Sequence, residues 1–141
     1  MKRIVRGWKG EKGDIVMKIK SVRDLDVYKL AFESAMKIFQ LTKAFPDEER
    51  YSLTDQIRKS SRSVCSNLSE AWRKRRYKAV FVNKLSDSMQ EASESQTWLD
   101  FCIACGYISS NQYAELNSEY DNILAMLNSM ERKADKFCLP K

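Results

Sequence analysis

Residues 109–137, SSNQYAELNSEYDNILAMLNSMERKADKF, place apolar side chains at Tyr113, Leu116, Tyr120, Ile123, Leu127, Met130, Ala134 and Phe137. The steps alternate strictly between three and four, the repeat that lines one face of an α-helix packed on helical partners. A half-buried strand would alternate by two instead. Ser109 or Ser110 offers an N-cap and Pro140 a stop. A helix with one apolar stripe needs another element to cover it, and the same repeat in the segments upstream makes that cover helical and the chain all-α.

Three segments upstream follow the same rule. From about Arg76 to Cys105 the repeat is Val82, Leu85, Met89, Ala92, Gln96, Leu99 and Ile103, with Phe81, Trp98 and Cys102 on its flank and Gly106 as the C-terminal signal. From about Ser52 to Trp72, Leu53, Ile57, Ser61, Val64, Leu68 and Ala71 face inward; Ser60, Ser63, Cys65 and Ser66 keep that side small and polar, which lets a neighbouring helix come close. From Asp24 to Lys43 the expected core stripe is Leu25, Tyr28, Phe32, Ala35 and Phe39, widened by Val27, Ala31, Ile38, Leu41 and Phe45 before Pro46 ends the helix. Four helices of about 20–30 residues joined by short connections predict an antiparallel up-and-down four-helix bundle over residues 22–141. Residues 1–21, with Gly7, Gly10 and Gly13 among charges and no sustained period, read as a flexible basic arm.

The composition agrees with one helical domain: 141 residues, 43% hydrophobic, with four Gly and two Pro, too few for a turn-rich β-sandwich. There is no His, which excludes imidazole bases, His-paired nucleophiles and mixed Cys/His metal sites. No phosphate loop, dinucleotide fingerprint or nucleophile elbow occurs. Carboxylate pairs such as Glu91 with Glu94, or Asp87 with Glu91, read as solvated helix faces. The expectation is a protein without catalytic residues, cofactor or metal. Cys65, Cys102, Cys105 and Cys138 read as reduced, buried thiols; a redox or metal pair at Cys102 and Cys105 is the weaker alternative, because it lies near a helix C-terminus. No apolar run reaches the roughly 20 residues of a membrane span and no signal-peptide core follows the first charges, so a cytoplasmic protein with no membrane partner is expected.

Charge is unevenly distributed. Residues 1–20 carry seven Lys or Arg against Glu11 and Asp14, and residues 56–86 carry nine against Glu70 alone, whereas residues 87–141 carry four against nine acids. Arg58, Arg62, Arg73, Lys74, Arg75 and Arg76 therefore form the candidate contact for the phosphates of RNA or DNA, where neutralised phosphates release counterions. Trp72 and Tyr77 are candidates to stack on unpaired bases, or equally to anchor an interface. Gln56, Ser63, Asn67 and Glu70 step by seven, four and three, and so share a face; they read as a polar seam that fixes helix register or subunit contacts, with base or ribose contact as the functional alternative.

The stretches DLDVYKLAF at 24–32, FPDEERYSLTDQIRKSSRSVCSNLSEAWRK at 45–74 and EASESQTWLDFCIACGYIS at 91–109 resemble the four-helix-bundle family named after proteins encoded in intervening sequences of bacterial 23S rRNA genes. The likeness spans about residues 22–132. It rests on FP-x-x-E-x-x-x-L-x-x-Q-x-R followed by S-x-x-x-N-x-x-E, which places Gln56, Arg58, Ser63, Asn67 and Glu70 on the motif; Arg73, Arg75 and Arg76 match only its basic tendency. Ala71 and Trp72 stand where the family commonly has Gly and an aromatic residue, and Val64 and Cys65 where it usually has Ile-Pro. The resemblance implies a non-catalytic bundle. Related bundles include the accessory proteins of diversity-generating retroelements, basic pentameric barrels that bind nucleic acid and assist a reverse transcriptase. By that likeness the expected partners are RNA or DNA, further copies of the chain in a homo-oligomer such as a pentamer, and a reverse transcriptase. A protein-interaction scaffold organised by the seam and Trp98 is the rival.

Overall fold

The computed structural model describes residues 19–138, and its long elements are four helices: α1 (Asp26–Thr42), α2 (Leu53–Arg73), α3 (Lys78–Ala104) and α4 (Ser110–Arg132), followed by a single turn, α5 (Ala134–Phe137). Consecutive helices pack side by side and α4 returns to α1, so the chain closes an up-and-down bundle. Residues 1–18, most of the expected arm, lie outside the described residues.

Local chemistry sets the element ends. Before α1, Asp24 Oδ2 accepts from Ser21 N at 3.1 Å while Ser21 Oγ accepts from Arg23 N at 3.2 Å, which satisfies donors that a helical start leaves without partners. After α3, Gly106 takes a φ of +76°, open to a residue without Cβ. Its N–H donates to Ile103 O and that of Tyr107 to Cys102 O, each at 2.9 Å, so the last carbonyls are paired in a Schellman turn. Ser109 then caps α4: its Oγ accepts from Gln112 N at 3.0 Å, and Gln112 Oε1 accepts from Ser109 N at 2.9 Å.

The α4 stripe is inward as its spacing predicts, with Leu116, Tyr120, Ile123, Leu127, Met130, Ala134 and Phe137 buried. Two helices are rotated from expectation. In α3 the buried line is Phe81, Leu85, Ser88, Ala92, Ser95, Leu99 and Cys102; Val82, Met89, Gln96 and Ile103 sit half-buried at its margin. In α1 the buried line is Val27, Leu30, Ala31, Ser34, Ala35 and Ile38, while Tyr28 and Phe39 are half-buried and Phe32 is 51% exposed. Cys105, expected inside, is exposed one residue past the end of α3.

Serines explain the α3 shift. Ser60 Oγ and Ser95 Oγ meet at 2.8 Å across α2 and α3, and Ser88 Oγ donates to Val64 O at 2.8 Å. Small side chains allow close approach, and each of these three serine hydroxyls is hydrogen-bonded. The α2–α3 contact is the most extensive in the bundle. Glu119, by contrast, joins α4 to α1 at a solvent margin, accepting from Ser34 Oγ at 2.7 Å and pairing with Lys37, which Glu115 also holds at 2.7 Å.

The end of the bundle holding the α1–α2 and α3–α4 connections is sealed by one cluster. Pro46 stops α1, Phe45 packs on Tyr107 with ring centres 5.0 Å apart, and Glu49 spans both connections. Glu49 Oε1 accepts from Leu53 N at 3.2 Å, capping α2, while its Oε2 accepts from Tyr107 Oη at 2.8 Å. The Phe-Pro-x-x-Glu stretch thus builds this corner. The Glu49 carboxylate, accepting from the phenol, pushes Tyr107 up to about 12.

Candidate nucleic-acid interface

The opposite end holds the α2–α3 turn, α5 and the start of α1. Trp72, 7% exposed, meets Phe137 edge-on at 6.4 Å between ring centres, and Phe137 stacks on Phe81 at 6.3 Å. This aromatic plug buries Trp72, which removes it as a platform for bases. Beyond it the chain turns: Lys74 N–H donates to Glu70 O at 3.0 Å and Tyr77 N–H to Lys74 O at 2.9 Å. Tyr77 remains 55% exposed.

The six candidate cations fall into three groups. Arg75 belongs to the plug: its guanidinium lies 4.1 Å from the centre of the Trp72 ring and donates to Trp72 O at 2.9 Å, and burial pushes its pKa down. Arg58 and Arg62 sit beside Phe39 of α1, at 4.8 and 5.7 Å from its ring centre, and Arg58 Nε donates to Thr42 Oγ1 at 2.8 Å. They are 11 to 15 residues before Arg73, or roughly 16–22 Å along α2 at the helical rise. Arg73, Lys74 and Arg76 form the third group. All three are exposed, and none has an ion pair among the described residues; Arg76 rests 5.9 Å from the Tyr77 ring centre.

Neighbouring cations are neutralised. Lys78 pairs with Asp135 at 2.8 Å, Lys84 with Glu70 at 2.8 Å, and Lys59 with Asp55 at 3.0 Å. The excess positive charge of residues 56–86 is therefore expressed at the turn and along one side of α2.

The polar seam is only partly internal. Ser63 and Asn67 are half-buried, and Asn67 Nδ2 donates within its own helix to Ser63 O at 3.0 Å; Gln56 and Glu70 are exposed. Glu70 alone reaches across, to Lys84 on α3. The buried polar line between helices is instead Ser60, Ser88 and Ser95. Signals for it were present in the serine content of α3, but a polar residue at a core position breaks an apolar repeat and so hides it.

Among the described residues no group of three or more His, Cys, Asp or Glu is placed to hold a metal ion, and no helix is long and apolar enough to cross a membrane. Burial pushes the Cys65 and Cys102 thiols up to about 12, the opposite of an activated thiolate. Two surface features carry no signal in the apolar repeats: a groove between α1 and α2 floored by Phe32 and Met36, and a side of α3 where half-buried Glu91, Glu94 and Trp98 lead to the exposed Phe101.

A small four-helix bundle, built on a Phe-Pro-x-x-Glu corner and carrying an exposed basic α2–α3 turn, is the class these features define. Residues 23–129 match the model of the 23S rRNA-intervening sequence protein family, and the chain belongs to that family. It is similar to a protein of unknown function from the S23 ribosomal protein family of Bacteroides thetaiotaomicron VPI-5482, known from a crystal structure. The TM-score is 0.69 at 30% identity, covering 75% of this chain and 98% of that one. Comparison with curated proteins gives no match.

Proposed function

We propose that this chain is a non-catalytic, homo-oligomeric protein that binds the phosphate backbone of RNA or DNA through Arg73, Lys74 and Arg76. One observation carries the reading. At the α2–α3 turn three neighbouring cations have no acidic partner among the described residues, beside an exposed Tyr77, although nearby lysines on the same helices are paired. Cations left in water together cost little there and are available to phosphates. Free thiols at all four cysteines suit a reducing cytoplasm.

The test is a salt-titrated binding assay with structured RNA and duplex DNA, comparing the full chain with R73A/K74A/R76A. On duplex DNA, three lost phosphate contacts should flatten the slope of log affinity against log salt by about 2.7, at roughly 0.9 per contact. Unchanged affinity and slope would remove this site. A scaffold or reverse-transcriptase accessory role is the second reading, favoured by the exposed apolar side chains of α1 and α3; an oligomer that binds neither nucleic acid near physiological salt would support it.

A further inference from the structure

Two surfaces of this chain complement each other. The groove between α1 and α2, about 460 Å³, is floored by Phe32 and Met36, which are 51% and 42% exposed. Its α2 wall presents Arg62, Cys65, Ser66 and Ser69, with no carboxylate among them, and Arg58 stands one turn before Arg62 on the same side of the helix. Lys43 adds a cation 4.9 Å from the Phe39 ring centre.

On α3 the half-buried Asp87, Glu91, Glu94 and Trp98 lead in steps of four, three and four to the exposed Phe101, three residues further on the same side. Phe101 is 53% exposed and stands 6.0 Å, centre to centre, from the Trp98 ring. Lys84 reaches Asp87 at 3.8 Å, but neither Glu91 nor Glu94 has an ion pair among the described residues. The Glu91 carboxyl is pushed up by desolvation first, then by Glu94 and Asp87, an environment that an approaching cation would relieve.

We infer that copies of this chain associate head to tail, with the α3 line of one copy seated in the α1–α2 groove of the next. This inference rests on the homo-oligomeric part of the proposed function and names the faces that meet. Charge selects the pairing: groove against groove opposes arginines, and α3 against α3 opposes carboxylates. Register supports it. Within one chain Ser95 stands opposite Ser60 and Ser88 opposite Val64, so Glu91 and Glu94 lie level with residues 60–64 of α2. In copies set side by side and related by rotation about an axis parallel to the bundle, Glu91 and Glu94 of one therefore come level with Arg62 and Arg58 of the next. Two different faces meeting in this way make a heterologous contact, which closes as a ring when the rotation divides the circle.

Charge exchange tests it on the full chain, with mass read by light scattering and folding by helical circular dichroism and melting. R62E, at an exposed position, and E91K/E94K should each reduce assembly at least tenfold in concentration, while the combined chain R62E/E91K/E94K regains most of it. F101S, which removes exposed apolar surface without touching a charge, should also weaken assembly. Folded variants that keep the wild-type mass, or a combined chain no better than its parents, would overturn the pairing while leaving an oligomer in place. A wild-type chain that stays monomeric at every concentration would overturn the oligomeric reading as well. Binding of nucleic acid, measured through R73A/K74A/R76A, stands or falls separately.

Discussion

The two ends of the bundle use similar residues to different effect. At one, Phe45, Glu49 and Tyr107 tie two connections together, and the charged member spends both carboxylate oxygens on partners inside the protein. At the other, Trp72, Phe81 and Phe137 form the plug, Arg75 is bound to it, and Arg73, Lys74 and Arg76 are left in solvent. A charge that satisfies the backbone stabilises the fold, whereas one with no acidic partner among the described residues is open to a partner. Sequence charge does not separate these cases; geometry does.

That contrast can be tested by mutation. The largest effect is expected in the plug, where F81A empties a fully buried ring site and should cost about 3–5 kcal/mol in denaturant unfolding. A loss below about 1 kcal/mol would mean that this end collapses freely around the gap. At the sealed end, E49A removes the acceptor for Leu53 N and should cost about 1 kcal/mol as a lost helix cap.

The same carboxylate gives the sealed end a pH signature. Tyr107 has its folded pKa raised above the ordinary value of 10.0 to about 12, so the neutral phenol is the form the fold favours. Its contribution is complete below about pH 10 and is lost as pH rises through about 12. In E49Q the phenol should titrate nearer its ordinary value by ultraviolet absorbance; an unchanged alkaline titration would show that Glu49 does not hold it.

Smaller effects separate the arginines. R75A should cost about 1 kcal/mol through the lost stacking on Trp72. R73A, only two residues away, should move stability by less than about 0.5 kcal/mol, as exposed substitutions do. If the two variants unfold at the same denaturant concentration, the distinction between plug and turn fails.

Most of the fold was legible because its signals are local. Gly106, Ser109 and Pro46 mark helix ends through backbone geometry that any tertiary context preserves, and the α4 stripe has one apolar side and no rival. Rotation of α1 and α3 was less legible. In α1 apolar residues cover well over half the circumference, so periodicity finds a helix without saying which arc turns inward; Val27, Ala31 and Ile38 take the core, and the larger Phe32 is left outside. In α3, Ser88 and Ser95 occupy core positions because α2 offers Val64 O and Ser60 as partners, information held in another helix. The candidate site was legible as a charge excess in residues 56–86. Which cations remain available was not, because Asp135 and the Trp72 ring that engage Lys78 and Arg75 are chosen by packing.

An even number of long helices has a topological consequence. The described chain enters beside the start of α1 and leaves through α5, both at the end that carries Arg73, Lys74 and Arg76. Anything joined to either terminus is thereby tethered over that surface at a high effective concentration. Circular permutation that links residues 19 and 138 and reopens the chain between Gly106 and Ser109 would move the tether to the far end, leaving the basic turn bare and every helix intact.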